Sequence, residues 1–206
     1  MSFEITSEDA LREVLGPPVH EAVLEKSTAT LTPPLKRFIE MSPFLALGTA
    51  NAHGDSDLSP RGDPPGFVHI LDDHTLVIPE RPGNKRLDSV VNIINQPKLS
   101  LLFMIPGVLD TVRVNGTGVI STDPELLGRF PVNGKLPQIA IVVTVEEALG
   151  HCSKAYRRSK LWQDDHVPKS RVPTLAEMMT GHLKVDEPTM EFLESAIDDD
   201  AQNNMY

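Results

Sequence analysis

The stretch LSLLFMIPGVLDTVRVNGTGVI, residues 99–120, contains two β-prone runs separated by one turn. Residues 99–105 and 111–120 are rich in aliphatic and β-branched side chains, which favour strands. Between them, PGVLD combines proline, glycine and aspartate, which are common turn residues. The stretch therefore predicts two strands with a turn between them.

Four further β-prone runs lie on either side of this stretch: FLALGTA (44–50), FVHIL (67–71), TLVIP (75–79) and QIAIVVTVEEAL (138–149). Only one clear helix, predicted over Asn84–Asn95, interrupts them. A doubly wound parallel sheet needs a helix between successive strands, so one helix is too few. The pattern instead predicts a mainly β fold, in which an antiparallel sheet closes into a small barrel with helices packed outside it.

Helices are predicted at both ends of the chain. Ser7 caps a short helix that ends at Gly16, a second stretch covers His20–Lys26, and a third begins after Pro33-Pro34 and stops before Pro43. PTLAEMMTGH (173–182) and EPTMEFLESAI (187–197) are predicted as C-terminal helices. We expect these helices to lie outside the strand-rich core.

Composition excludes several classes of protein. The formal charge is −10, with 19 Lys+Arg against 29 Asp+Glu, which argues against general nucleic-acid binding. The single cysteine, Cys152, permits no intramolecular disulfide. The N-terminus lacks signal-peptide features, and no apolar run approaches the ~20 residues that cross a bilayer, so we expect a cytoplasmic protein that binds no membrane. The scattered histidines predict no metal site, and no P-loop or dinucleotide-binding motif is present.

Two cations lie where the predicted helix in PERPGNKRLDSVV (79–91) begins. Lys85 and Arg86 occupy its first turn, where the exposed N–H groups of a helix usually favour aspartate or glutamate. Such a placement predicts an anion site, with phosphate as a suitable ligand. The alternative is that both side chains simply extend into solvent.

A second candidate is Arg61 in SDLSPRGDPPG (56–66), where proline and glycine restrain a strand end or turn. The rigid backbone could present the guanidinium to a ligand. The alternative is a surface turn in which Arg61 pairs locally with Asp63.

A third candidate is the basic segment HCSKAYRRSKLW (151–162). It combines four cations with Trp162, a composition suited to holding an anion beside a stacked ring. Cys152 next to His151 could be a nucleophile, but adjacent helical residues point about 100° apart, so a structural cysteine is the favoured interpretation.

The order of these motifs resembles the pyridoxamine 5′-phosphate oxidase-like FMN-binding split-barrel superfamily, and more narrowly a branch of probable FMN-dependent proteins without an assigned substrate. The resemblance rests on SPRGDPPGFV (59–68), LVIPERPGNKRLDSVVNI (76–93), LLFMIPGVLDTVRVNG (101–116) and HCSKAYRRSKLW (151–162), and covers about residues 40–165. It implies a homodimer of six-stranded antiparallel split β-barrels of Greek-key topology with peripheral helices, and FMN bound between the subunits.

The resemblance also implies which residues bind FMN. Ser59, Arg61 and Gly62 would run along the flavin, and the helix start at Asn84, Lys85 and Arg86 would hold the phosphate. Thr111 and Arg113 would approach from the neighbouring barrel. Lys154, Ser159 and Trp162 would lie near the ring edge or the phosphate. The C-terminal tryptophan/arginine arrangement of true pyridoxamine phosphate oxidases is not found, which argues against pyridoxine 5′-phosphate as the substrate.

The resemblance implies an FMN-dependent oxidoreductase that acts on a small molecule by hydride transfer at flavin N5, with NADH or NADPH as a possible electron donor. Arg61 or Arg113 would stabilise the negative charge of the reduced ring. Two alternatives stay open: a flavin carrier without catalysis, and a barrel that binds another phosphorylated cofactor such as F420. The expected organisation is an N-terminal helical segment packed on the barrel (1–42), an FMN-binding split-barrel domain (43–165), and C-terminal helices with an acidic tail (166–206). No catalytic acid or base can be identified.

Overall fold

The computed structural model describes residues 3–17, 20, 23, 25–163 and 166–206. The strands are β1 (Phe44–Ala50), β2 (Ser56–Gly62), β3 (His69–Ile70), β4 (Thr75–Pro79), β5 (Lys98–Met104), β6 (Thr111–Ser121) and β7 (Ala140–His151). The helices are α1 (Glu8–Leu15), α2 (Pro33–Met41), α3 (Asp88–Asn95), α4 (Pro124–Leu127), α5 (Lys154–Ser159), α6 (Leu175–Thr180) and α7 (Glu187–Asn203), with a short 3-10 turn at Lys169–Arg171. Residues 21, 22 and 24 of the helix predicted over His20–Lys26 lie outside the described residues.

All seven strands belong to one antiparallel sheet in the order β2-β1-β5-β6-β7-β4-β3. Side chains from strands far apart in this order pack into one core cluster, including Leu45 of β1, Val114 of β6 and Leu76 of β4. The sheet therefore curls around a main apolar interior, with α2 and α3 adding Ile39 and Ile93 to the same cluster. A second, smaller cluster contains Val77, Leu127, Phe130 and Ala140. The predicted mainly β fold with peripheral helices is confirmed.

The sheet has seven strands, whereas the resemblance implied six. The strand that the sequence pattern did not predict is β2, whose residues SDLSPRG consist largely of turn-forming types. It forms because every residue from Ser56 to Gly62 pairs with β1, in the register Phe44↔Gly62 to Ala50↔Ser56. β2 is the end strand of the sheet, a position where the missing N–H of Pro60 is tolerated.

The capped N-terminal helix is confirmed, since Ser7 Oγ accepts a hydrogen bond from Ala10 N and Gly16 ends the helix at φ 74°. The third N-terminal helix is present but begins at Pro33, with both prolines in its first turn, rather than after them. The two C-terminal helices are also present. The predicted start of the central helix at Asn84 is wrong, because α3 begins at Asp88. None of the helices in the described residues is long and apolar enough to cross a membrane.

Candidate functional site

A cleft of about 1220 Å³ lies between the end strand β2 and the segment that joins β4 to α3. Its walls come from residues 57–61, the loop 80–87, the start of α3, the loop 135–139 and Tyr206. The lining contains five Lys or Arg residues (Arg61, Arg81, Lys85, Arg86 and Lys135) and three acidic ones (Asp57, Glu80 and Asp88). The cleft is therefore positively charged in a chain whose formal charge is −10.

Strand β2 presents alternate side chains to this cleft. Arg61 pairs opposite the buried Leu45 of β1, and Ser59 pairs opposite the buried Leu47. Residues directly opposite each other in an antiparallel pair share a face, so both side chains extend the inner face of the sheet into the cleft. Gly62 lies on the other face and outside the cleft lining. A Cβ there would lie 3.2 Å from the carbonyl oxygen of Pro43, so the strand passes close to its neighbour at this point.

The guanidinium of Arg61 is held on several sides. Its Nη1 donates to Ser59 Oγ at 2.6 Å and to the carbonyl oxygen of Pro60 at 3.2 Å. Its Nε lies 3.3 Å from Glu80 Oε2, and both side chains are less than a fifth exposed. These two atoms are close enough for charge attraction, but each is buried without a hydrogen bond. Because buried polar atoms normally have partners, the orphaned pair marks a place where a polar ligand can add one.

Burial also raises the pKa of Glu80, and the nearby positive charge of Arg61 opposes that rise. Glu80 follows β4 directly, and its main-chain N–H donates to the carbonyl oxygen of Ile139. Its position is thus fixed by backbone hydrogen bonding on one side and by Arg61 on the other. A carboxylate with a raised pKa in a cleft is the kind of group that can accept or release a proton.

A second ion pair ties the same two segments together. Arg81 Nε donates to Asp63 Oδ2 at 2.7 Å, and Arg81 Nη1 donates to the carbonyl oxygen of Phe130 at 3.1 Å. The other oxygen of Asp63 accepts a hydrogen bond from the hydroxyl of Tyr206 at 2.7 Å, and this bond raises the pKa of Tyr206. Two crossed pairs, Arg61 with Glu80 and Arg81 with Asp63, therefore hold the loop after β4 against the end of β2.

The predicted phosphate residues lie in a loop rather than in the first turn of a helix. Lys85 and Leu87 have left-handed backbones, with φ of 58° and 61°, which prevents a continuous helix through residues 84–87. Asn84 Oδ1 accepts a hydrogen bond from the main chain of Arg86 at 3.0 Å, which stabilises this turn. The first turn of α3 does contain the acidic residue that helix starts favour, because α3 begins at Asp88. Asn84, Lys85 and Arg86 nevertheless all line the cleft.

A buried polar network holds α3 beside the cleft. Ser89 Oγ donates to Asp57 Oδ2 at 2.8 Å, and Thr49 Oγ1 donates to the same oxygen at 3.3 Å. Asn92 Nδ2 in turn donates to Thr49 Oγ1 at 3.1 Å. These bonds connect α3 to both β1 and β2, so the loop that carries Lys85 and Arg86 ends on a fixed support.

The other predicted site residues lie outside this cleft. Thr111 and Arg113 are on β6, three strands from β2 in the sheet order, and Arg113 Nη2 lies 3.5 Å from Glu147 Oε2. Trp162 Nε1 donates to the carbonyl oxygen of Val108, and its ring stacks on Tyr156 at 6.0 Å between centroids. Lys154 and Ser159 bracket α5, next to this stack. One chain thus brings together Ser59, Arg61, Asn84, Lys85 and Arg86, and leaves Thr111, Arg113, Lys154, Ser159 and Trp162 elsewhere.

Three residues that shape the cleft were not predicted from the sequence: Glu80, Lys135 and Tyr206. The Val132–Lys135 segment contains the Asn-Gly pair typical of a tight turn, which could have suggested a fixed position for Lys135. Nothing in the sequence indicates the contact between Tyr206 and Asp63, which are 143 positions apart.

The cleft suits the chemistry of FMN. Lys85 and Arg86 offer positive charge for a phosphate, Ser59 offers a hydroxyl, and the orphaned Nε of Arg61 offers an N–H donor. The remaining lining includes apolar side chains such as Leu87 and Leu136 that can contact a flat ring.

Residues 31–152, more than half of the chain, match the family model described as pyridoxamine 5′-phosphate oxidase. No curated protein matches the chain. Among solved structures, the chain is similar to HupZ from Group A Streptococcus (20% identity, 57% of this chain and 90% of that chain, TM-score 0.47). It is also similar to a putative pyridoxamine 5′-phosphate oxidase from Lactobacillus delbrueckii (21%, 59% and 95%, 0.46) and to an FMN-binding protein from Syntrophomonas wolfei (15%, 70% and 96%, 0.44).

The match to the family model runs from just before α2 to the start of the segment after β7, and so contains all seven strands and most of the cleft. The chain therefore belongs to the pyridoxamine 5′-phosphate oxidase family.

Proposed function

We propose that this protein is an FMN-dependent oxidoreductase that binds its flavin in the cleft between β2 and the loop 80–87 and acts on a small molecule. The observation that carries the proposal is the charge of that cleft. Five cations and three acids line it in a chain with ten more acids than bases, so the positive charge is concentrated where an anionic ligand can use it.

Different residues would bind the phosphate and the ring system of FMN. Lys85 and Arg86 would hold the phosphate, with Asn84 keeping their loop in its left-handed turn. Arg86 Nε donates to Asp88 Oδ2 at 2.9 Å, so Asp88 compensates part of the positive charge of Arg86. Lys85 therefore supplies the less compensated charge. Ser59 and Arg61 would contact the ring system from β2.

When bound, FMN supplies hydride acceptance and donation at N5, which the protein's own side chains cannot provide. The chain contributes orientation and electrostatics. Glu80 and Ser59 hold the guanidinium of Arg61 in place, so its positive charge is available to stabilise negative charge that develops on a ligand in the cleft. Glu80 is the carboxylate best placed to take or give a proton there, because burial raises its pKa.

The proposal includes a homodimer in which a second copy completes the site. Thr111 and Arg113 lie outside the cleft of their own chain, as an approach from the neighbouring barrel requires. Lys154, Ser159 and Trp162 also lie outside it, and a second copy would bring them near the ring edge or the phosphate. Leu58 on the outer face of β2 is 73% exposed, and its neighbours on that face include Gly48 and Ser100, which lets another sheet come close. A molar mass of about twice 22.6 kDa by light scattering supports this part, and a monomer at micromolar concentration contradicts it.

The proposal is tested by the absorbance spectrum of the purified protein, recorded before and after addition of NADPH. We expect a flavin spectrum that bleaches with NADPH and recovers in air, with FMN identified by mass spectrometry of the ligand released on denaturation. A protein that stays colourless after incubation with FMN contradicts the proposal. Bound FMN that no nicotinamide reduces indicates a carrier, and release of a deazaflavin indicates the other cofactor class.

The matched control uses a second Lys-Arg pair in the chain. Lys85→Gln/Arg86→Gln removes the pair in the cleft, and Lys36→Gln/Arg37→Gln removes an adjacent pair on α2, outside it. Both double variants change the net charge by the same amount. We expect the first to lose flavin on gel filtration and the second to retain it.

A further inference from the structure

Helices α6 and α7 pack on each other and form a C-terminal hairpin, residues 174–203. Thr174 caps α6 through a reciprocal pair of hydrogen bonds with Glu177, and its Oγ1 also donates to Glu194 Oε1 of α7 at 2.8 Å. At the other end of α6, the buried Thr180 lies with its Oγ1 3.8 Å from Met190 Sδ. The two helices are therefore tied to each other at both ends of α6.

The C-terminal hairpin is only loosely joined to the barrel. In the parts of the chain that the structure describes, neither apolar cluster of the core contains a residue from 166–206. The hydrogen bonds and ion pairs that join 166–206 to the other described residues are all made by Tyr206. An element with few buried contacts opens locally at a lower free energy than the core does. We therefore expect the hairpin to open before the sheet.

Tyr206 attaches the hairpin to the barrel through three contacts. Its hydroxyl donates to Asp63 Oδ1 at 2.7 Å, its ring lies 5.7 Å from the guanidinium carbon of Arg81, and its main-chain oxygen accepts a hydrogen bond from Lys135 Nζ at 2.5 Å. Tyr206, Arg81 and Lys135 all line the cleft. The attachment of the hairpin therefore lies at the wall of the cleft.

The barrel side of this attachment is held in place without Tyr206. Asp63 and Arg81 form an ion pair in which the two side chains are 1% and 16% exposed. Lys135 follows a two-residue turn at 133–134, with φ of 51° and 76°, and main-chain hydrogen bonds join residues 132 and 135 across it. Because these groups keep their positions by themselves, Tyr206 can leave and return to the same place.

We infer that the C-terminal hairpin is a strap that Tyr206 latches to the wall of the cleft, and that release of this latch sets how fast a ligand enters and leaves. Only residues 204 and 205 separate the end of α7 from Tyr206, so the hairpin and the tyrosine move together. The latch does not depend on which ligand the cleft takes. Its effect on the exchange of FMN rests on the proposed function.

The rates of FMN binding and release, measured by stopped-flow flavin fluorescence, test the strap. Tyr206→Ala removes the hydroxyl bond to a charged acceptor together with the ring, so we expect both rate constants to rise by about tenfold or more. They should rise by similar factors, because an open strap clears the same path in both directions, and the Kd should stay nearly unchanged. A rise in the dissociation rate alone would mean that Tyr206 is an ordinary ligand contact, and it overturns the inference.

Two further variants separate the latch from general effects on the tail. Tyr206→Phe keeps the ring and the main-chain oxygen, so it should raise both rates less than Tyr206→Ala does. Asn204→Ala is the matched control, because the side chain of Asn204 bonds to Asp200 of α7 and not to the barrel. It should leave both rates unchanged, and rates as fast as those of Tyr206→Ala overturn the inference.

Hydrogen exchange followed by mass spectrometry tests the strap without a flavin. In Tyr206→Ala we expect faster amide exchange in α7 and in the loop 80–87 that lines the cleft, with β5 and β6 unchanged. Unchanged exchange in either α7 or the loop overturns the inference, and unchanged strands show that the variant is folded. If FMN does not bind but α7 and the loop both exchange faster, the proposed function fails and the strap stands.

Discussion

Replacing Asp63 with asparagine removes the buried charge that joins β2, the loop after β4 and Tyr206. The Asp63 side chain is 1% exposed, and its two oxygens accept hydrogen bonds of 2.7 Å from Arg81 and Tyr206. Asparagine keeps one acceptor oxygen but turns an amide N–H₂ toward the other donor. One of the two bonds is therefore lost, and the guanidinium of Arg81 is left without its counter-charge.

The cost follows from the burial of the pair. Removing one partner of a buried ion pair costs about 3–5 kcal/mol. Arg81 is 16% exposed and keeps its hydrogen bond to Phe130, which places Asp63→Asn at the lower end, about 3 kcal/mol in the free energy of unfolding. Tyr206→Phe removes one hydrogen bond to a charged acceptor and should cost about 1.5 kcal/mol. With a urea m-value of about 2–3 kcal/mol/M, Asp63→Asn lowers the unfolding midpoint by roughly 1–1.5 M.

Urea unfolding followed by circular dichroism measures these shifts. Asp73→Asn is the matched control, because Asp73 also pairs with a cation, Lys36, but its side chain is 67% exposed. An exposed pair of this kind contributes less than about 1 kcal/mol. A midpoint for Asp63→Asn that falls no further than that of Asp73→Asn would refute the view that this buried pair holds the cleft together.

Two further predictions concern the core and its dependence on pH. In Gly118→Ala, the new Cβ would lie 2.7 Å from Leu99 Cδ2 and 3.2 Å from Ile93 Cγ2, so we expect the free energy of unfolding in urea to fall by about 1–3 kcal/mol. In the control Gly150→Ala, the new Cβ meets no atom within 4 Å, so this variant should be close to neutral. Equal costs for the two variants would contradict the packing argument. Burial, and to a lesser extent the charge of Arg129, lowers the pKa of His69 from its ordinary 6.5. The unfolded chain then binds a proton that the folded one does not, so stability should fall as pH drops below 6.5 toward the folded pKa. His69→Gln should flatten this slope as the pH falls below 6.5, leaving the share of His151, whose pKa burial also lowers; parallel curves for the two proteins would show that His69 plays no part.

Most of the sheet is predictable because its strands are apolar and β-branched, and β1 and β5 also alternate regularly between buried and exposed positions. β2 is not predicted because its residues are not apolar and β-branched. Its serine, aspartate, proline and glycine favour turns locally, and only the hydrogen bonds to β1 make it a strand. An end strand of this kind is defined by its partner more than by its own residues.

The start of α3 shows a similar limit. The apolar spacing from Leu87 onward is helical and predicts α3 well, but the turn before it depends on left-handed backbones at Lys85 and Leu87. Neither residue type favours that conformation, so the turn that delays the helix to Asp88 has no signal in the sequence. Lys85 and Arg86 line the cleft, although the helical setting predicted for them is wrong.

Part of the candidate site could be predicted from charge and from the family resemblance. Arg61, Lys85 and Arg86 share one cleft because β1 carries β2 to the side of the sheet where the loop after β4 emerges. Tyr206 enters the same cleft through a contact between residues 143 positions apart, and such contacts follow from tertiary packing, which no motif records.

The central claim is that the Lys85–Arg86 end of the cleft holds the phosphate of FMN. Titration of FMN and of riboflavin, which lacks the phosphate, into the wild-type protein and into Lys85→Gln/Arg86→Gln tests it most directly, with flavin fluorescence as the signal. Two charge-assisted hydrogen bonds at about 1.5–3 kcal/mol each predict that the wild type prefers FMN over riboflavin by about 100-fold or more. We predict that the double variant loses this preference while its affinity for riboflavin stays unchanged. A double variant that still prefers FMN to the same extent would contradict the claim.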